Sequence, residues 1–135
     1  MDEERILIKL DQMDQYLDEL GEDLPKSLEA YKERRRKYER LLHLSIETVV
    51  DISSLILKQE GLGAPEDEES IFDKLIEADI FDEETGEKLK DMKAFRNVLV
   101  HRYGEIKDEE VYGKLDQLED FERFRQKILE YLEEN

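Results

Sequence analysis

The stretch from Leu41 to Leu57 constrains the fold most, because it is apolar around most of a helical circumference. A helix of that kind is buried on nearly all sides. Other helices must therefore surround it. His43, Glu47 and Asp51 interrupt the run, so it is not a membrane span. One narrow polar stripe remains, made of Arg40, His43, Glu47, Asp51, Ser54 and Lys58. Glu47 and Asp51 stand four apart and stack on one face. Two acids on such a helix must be paired, hydrated or functional.

The flanking segments supply the cover. Ile6, Leu10, Met13, Leu17 and Leu20 follow alternating spacings of four and three, and Gly21 and Pro25 end that helix. A longer helix is expected from about Lys26 to Glu60, with Tyr31, Tyr38, Leu42, Ser45, Val49, Ile52 and Ile56 on its buried stripe. Gly61 and Gly63 stop it. A loop with four consecutive acids, Glu66 to Glu69, leads to a short helix capped by Ser70 and carrying Ile71, Phe72, Leu75 and Ile76. A further helix runs from around Glu83 to Arg102 and ends at Gly104. Asp108 is expected to cap the last helix, which buries Val111, Leu115, Leu118, Phe121, Phe124, Ile128 and Leu132 and contains Gly113 as a point of bending. No strand pattern and no internal repeat appears. The expected fold is one all-α domain over residues 1–135, a bundle of four long helices and one short helix.

Composition narrows the chemistry. The 135 residues contain no cysteine and two histidines, so disulfides, thiolate nucleophiles, cysteine zinc sites and a histidine-rich metal site within one chain are all excluded. No basic-then-apolar leader opens the chain, which gives a cytoplasmic protein as the expectation. The formal net charge of −17 repels a phosphate backbone. Any RNA function therefore needs a local basic patch or a dimeric cleft. The one basic cluster is Lys32, Arg34, Arg35, Arg36, Lys37 and Arg40. Arg34, Arg35, Lys37 and Arg40 are candidates for RNA contact at the mouth of a cleft. The alternative is a solvated helix face paired with neighbouring acids.

The segment from Ala94 to Gly104 carries the chemistry. It gathers Arg96, Asn97, His101 and Tyr103 toward one helix end. Asn97 and His101 share a face. Arg96 and Tyr103 lie on one line two turns apart, whereas Arg96 and His101 are separated by roughly 140° on an ideal helix. A second copy across a two-fold axis would bring an arginine and a histidine together. Histidine can remove a 2′-hydroxyl proton or protonate a leaving 5′-oxygen, and arginine can stabilise the phosphorane-like charge. Spacing alone leaves an alternative open: a histidine at its helix end, and an arginine paired with Glu47 or Asp51. In the functional alternative those two acids hold a catalytic arginine. A metal site of His43, Glu47 and Asp51 is allowed by spacing alone, but that pattern is generic.

With Arg96, His101 and Tyr103 in an R-x4-H-x-Y pattern and Asn97 after the arginine, the chain resembles the HEPN superfamily and within it the HepT-like ribonuclease toxins. The segments Tyr38 to Leu42, Ser45 to Glu47, Asp51-Ile52, Phe72 to Leu75 and Met92 to Asn97 also look like the family pattern. The likeness spans roughly residues 5 to 132. It implies a homodimer with two motifs facing one cleft, and cleavage of RNA without metal or cofactor by Arg96 and His101, with Asn97, Glu47 and Asp51 in support. It also implies an MntA-like minimal nucleotidyltransferase antitoxin that transfers AMP onto Tyr103. The alternative within the superfamily is a non-catalytic nucleotide-binding or adaptor subunit of such a nucleotidyltransferase.

Overall fold

A computed structural model describes residues 2–101 and 107–134. Its helices are α1 (Asp2–Glu22), α2 (Leu28–Glu33), α3 (Arg35–Gln59), α4 (Glu68–Glu77), α5 (Glu83–His101), α6 (Asp108–Lys114) and α7 (Glu119–Glu134), with a 3-10 turn at Leu115–Gln117. Among the described residues there is no strand, and no helix is long and apolar enough to cross a membrane. The expected all-α bundle stands, with α1, α3, α5 and α7 as its long helices. Among the described residues the short α-helices number three rather than one.

The central helix is α3. Leu41, Leu42, Ile46, Val49, Val50, Ile52, Ile56 and Leu57 are all buried on it, between α1 on one side and α4 and α5 on the other. Three hydroxyls are buried among them, and each is satisfied by the helix's own backbone. Ser45 Oγ donates to Leu41 O at 2.8 Å, Thr48 Oγ1 to Ser45 O at 2.6 Å and Ser53 Oγ to Val49 O at 2.8 Å. Such back-bonding lets a polar residue sit in a core without a tertiary partner. The apolar stripes expected on the first and last helices are buried as well, with Leu17, Leu118 and Leu132 at their half-covered edges.

Local chemistry moved several boundaries. The helix expected over Lys26–Glu60 is two helices. Ser27 caps α2 by accepting from Ala30 N at 3.1 Å, and Arg34 breaks the path with φ −131° and ψ 32°. The break seats fully buried Tyr31 against Tyr38, with ring centroids 5.6 Å apart. Tyr38 Oη in turn donates to the Asp23 carbonyl at 2.7 Å. Ser70 is not the cap of α4. Asp67 is, accepting from Ser70 N at 2.8 Å, and Ser70 returns the bond as the third residue of a capping box. Asp108 is not a cap either. Lys107 holds that position, and the Asp108 carboxylate is drawn off by Arg35, whose Nε and Nη2 donate to it at 2.7 and 2.6 Å. The last helix is also divided, and the change of path falls at Leu115 rather than at Gly113.

Gly61 ends α3 as expected, at φ 64°. Its N–H bonds to Lys58 O and that of Leu62 to Leu57 O, which is the Schellman pattern. Helix α4 ends the same way with Asp79 at φ 61° in the glycine position. At the start of α5, Gly86 packs directly on Ile76, where an added Cβ would clash with the isoleucine side chain. That close approach draws α4 and α5 together. Lys90 then pairs with Asp73, and the N-terminus of α4 reaches the far part of α5.

Candidate active site at the end of α5

Helices α3 and α5 run antiparallel. Glu47 faces Arg96, and one turn further on His43 faces Leu99 and Val100. Arg96 is buried, with only 8% of its surface exposed. Its Nη1 donates to both Glu47 oxygens, at 2.8 and 3.0 Å. Its Nη2 donates to Glu68 Oε1 at the first turn of α4. Its Nε is buried with no hydrogen-bond partner among the described residues. A guanidinium cannot be deprotonated in a protein, so two carboxylates share one permanent cation. His43 Nε2 lies 3.2 Å from Glu47 Oε2, which extends the chain of contacts from α5 through α3 to the surface.

The two acids of the polar stripe therefore part company. Glu47 holds Arg96, whereas Asp51 is paired with Lys9 of α1 at 3.2 Å. Among the described residues no three carboxylates or histidines gather as a metal-ion site, and His43, Glu47 and Asp51 have the partners just named. Asn97 is half-buried beside Arg96. His101 is the last residue of α5, about 7.5 Å along the axis from Arg96 by the helical rise. Its side chain lies outside the described part of the structure, as does Tyr103.

Next to this arginine, Arg36, Glu39, Arg40, His43, Leu99 and Val100 line an open groove of about 450 Å³. Arg36 and Arg40 are both exposed and stand four apart on α3, about two turns and one turn before His43 respectively. Burial raises the Glu39 carboxyl above the ordinary range, against the opposing pull of Arg35 and Arg36. Val100 is 42% exposed at the groove.

The rest of the basic cluster is committed elsewhere. Arg34 and Lys37 both bind the Asp23 carboxylate, Lys37 at 2.8 Å. The Lys37 hydrogen bond, with Arg34 nearby, lowers the Asp23 pKa below its usual value. Arg35 does the same to Asp108 through its two hydrogen bonds. Lys32 lies 3.5 Å from Glu29. Of the four expected RNA contacts, only Arg40 lies in the groove, and Arg36, which was not among them, joins it. Once the helix is known to restart after Arg34, their four-residue spacing is the signal that picks them out.

A family model described as ribonuclease HepT-like matches residues 6–128. The chain belongs to the HepT-like ribonuclease family. Among the family's curated members, the mRNA nuclease HepT of Shewanella oneidensis is 34% identical over 79 residues, which is 58% of this chain and 59% of that protein. The match thus spans about three-fifths of the curated relative. Solved structures agree in fold. The cytosolic protein YutE from Bacillus subtilis superposes with a TM-score of 0.84 at 24% identity, over 98% of this chain and 92% of that one. The tri-AMPylated Shewanella oneidensis HEPN toxin, solved in complex with MNT antitoxin, gives 0.83 at 24% identity, over 91% and 95%. The HepT-like framework of these proteins is the framework that positions Arg96, Glu47 and His43 here.

Proposed function

We infer that this protein is a metal-independent RNA endonuclease, the toxin of a toxin–antitoxin pair, with Arg96 and His101 as its catalytic residues. One observation carries the reading most strongly. A buried arginine is fixed by Glu47 five residues before a helix-terminal histidine, beside a groove flanked by Arg36 and Arg40. The family's nuclease members and the R-x4-H-x-Y pattern support it.

The mechanism follows from these groups. The RNA 2′-hydroxyl supplies the nucleophile and attacks the adjacent phosphorus as His101 takes its proton. The 5′-oxygen leaves with a proton from a second histidine or from water. The products are a 2′,3′-cyclic phosphate and a 5′-hydroxyl end. Arg96 holds the non-bridging oxygens as their charge rises. Glu47 is a positioning residue, and Asn97, four before His101, serves in this reading to orient the histidine or the backbone of the substrate. Because Arg96 and His101 project roughly 140° apart on one helix, the working site is built from two copies. Purified protein in excess chelator should still cleave RNA and leave cyclic or 3′-phosphate ends. Cleavage abolished by chelator, or 3′-hydroxyl ends, would overturn the mechanism.

Tyr103 is the proposed acceptor of AMP from an MNT-type nucleotidyltransferase. Each added unit brings negative charge and bulk toward a groove that must admit a polyanion. Tyr103→Phe is expected to keep cleavage within about threefold, because the phenol is not assigned to the chemistry, and to escape silencing. Intact-mass spectrometry after incubation with the partner enzyme and ATP checks this. AMP-sized additions on the variant equal to those on the wild type would place the acceptor elsewhere. The alternative, a non-catalytic nucleotide-binding or adaptor subunit, draws on one feature: both terminal nitrogens of Arg96 are already occupied by carboxylates.

A further inference from the structure

An arginine that stabilises a phosphate must offer that phosphate at least one terminal N–H. In this chain neither terminal nitrogen of Arg96 is idle. Nη1 is spent on Glu47 and Nη2 on Glu68. A cation between two anions carries a local charge of −1, which opposes entry of a phosphodiester. Departure of one carboxylate would free a terminal nitrogen and lift that opposing charge.

The two carboxylates differ in how readily they can leave. Glu47 lies in the middle of α3, accepts from Arg96 with both oxygens and contacts His43 with one of them. Glu68 uses one oxygen on the arginine, its side chain is 43% exposed, and it sits in the first turn of α4 beside the Asp67 cap. Swung into solvent, Glu68 would still interact favourably with the helix N-terminus. Glu47 has no comparable second position.

We propose that Glu68 is a built-in stand-in for the RNA phosphate: it occupies the outward edge of Arg96 in the free protein and is displaced when substrate binds. A carboxylate oxygen and a phosphodiester oxygen both accept a charge-assisted hydrogen bond from Nη2, so they compete for one donor. The assignment rests on the nuclease reading for its substrate, but the competition itself can be read from binding alone. It also accounts for how an arginine already in ion pairs can act on a third anion.

The test measures binding of a fluorescein-labelled, fully 2′-O-methylated RNA oligonucleotide, which cannot be cut by 2′-oxygen attack, alongside cleavage of the unmodified RNA. Glu68→Gln keeps the side-chain shape and removes the competing charge. It should bind the methylated RNA about tenfold more tightly than wild type. Glu69→Gln removes an equal charge from the same exposed turn and should change affinity by less than about twofold. Glu68→Asp withdraws the carboxylate by one methylene, should also tighten binding, and serves if Glu68→Gln does not fold. Unchanged or weaker binding in the Glu68 variants, or an equal gain from Glu69→Gln, overturns the proposal. If the Glu68 variants gain affinity but wild type does not cleave unmodified RNA, the displacement stands and the nuclease reading falls.

Discussion

Arg96→Ala is expected to slow RNA cleavage by about 100-fold or more, the usual cost of removing a charge-stabilising group from a phosphoryl or acyl transition state. The site geometry makes the loss specific. Arg96 is the shared partner of Glu47 and Glu68, so its removal takes the positive charge out and leaves two carboxylates facing each other. Such a pair repels phosphate more strongly than an empty site would. Arg96→Lys should rescue little, because a single ammonium lacks the planar fork that holds Glu47 with one arm and frees the other. Both carboxylates are more than a third exposed, so stability should fall only modestly. Single-turnover cleavage measured beside thermal melting separates the two effects. A variant that melts like the wild type and cuts within tenfold of its rate would remove Arg96 from the chemistry.

The second large effect concerns the fold. Phe124 of α7 is fully buried and stands 5.9 Å from the Phe81 ring at a tilt of 51°. Phe81 lies just before α5, so this contact ties the last helix to the start of the helix that carries the motif. Phe124→Ala is expected to cost about 3–5 kcal/mol. A domain of this size has about 5–15 kcal/mol in total, so the variant should lose a large share of its stability. Urea denaturation followed by circular dichroism measures it directly. Phe124→Leu should recover a large part of the loss by refilling the cavity. A cost below about 1 kcal/mol for the alanine variant would mean that α7 closes over the gap, and that its packing is looser than full burial indicates.

The elements read best from sequence were those with long, regular apolar stripes. The stripes of α1, α3 and α7 are visible because burial against one core imposes a period of 3.6 on residue choice. The breaks were harder. No glycine or proline marks Arg34, and the chain turns there because Tyr31 must reach Tyr38 and Arg35 must reach Asp108, contacts that no local pattern encodes. At the site, pairing of Arg96 with Glu47 was one of the arrangements open from spacing. Its companion Asp51 looked equivalent on a helical wheel but turned to Lys9, since α1 covers that part of α3. Glu68 left no signal at all. It sits in a run of four acids that reads as solvated loop, and only the packing of α4 on α5 through Gly86 brings it to the arginine. The basic cluster was legible as a cluster, but not in which of its members were already neutralised.

The antiparallel register of α3 and α5 also sets where this chain can change length. Deleting a single residue between Tyr38 and Glu47 would turn Glu47 by about 100° and take it out of reach of Arg96. The segment between α3 and α4 is under no such rule. The Gly61 turn finishes one helix and the Asp67–Ser70 box starts the next, each with its own hydrogen bonds. Peptide tags, reporter domains or natural insertions placed among residues 63–66 would therefore leave the arginine and its two carboxylates in place, whereas the same additions inside α3 would break up the core that this helix centres.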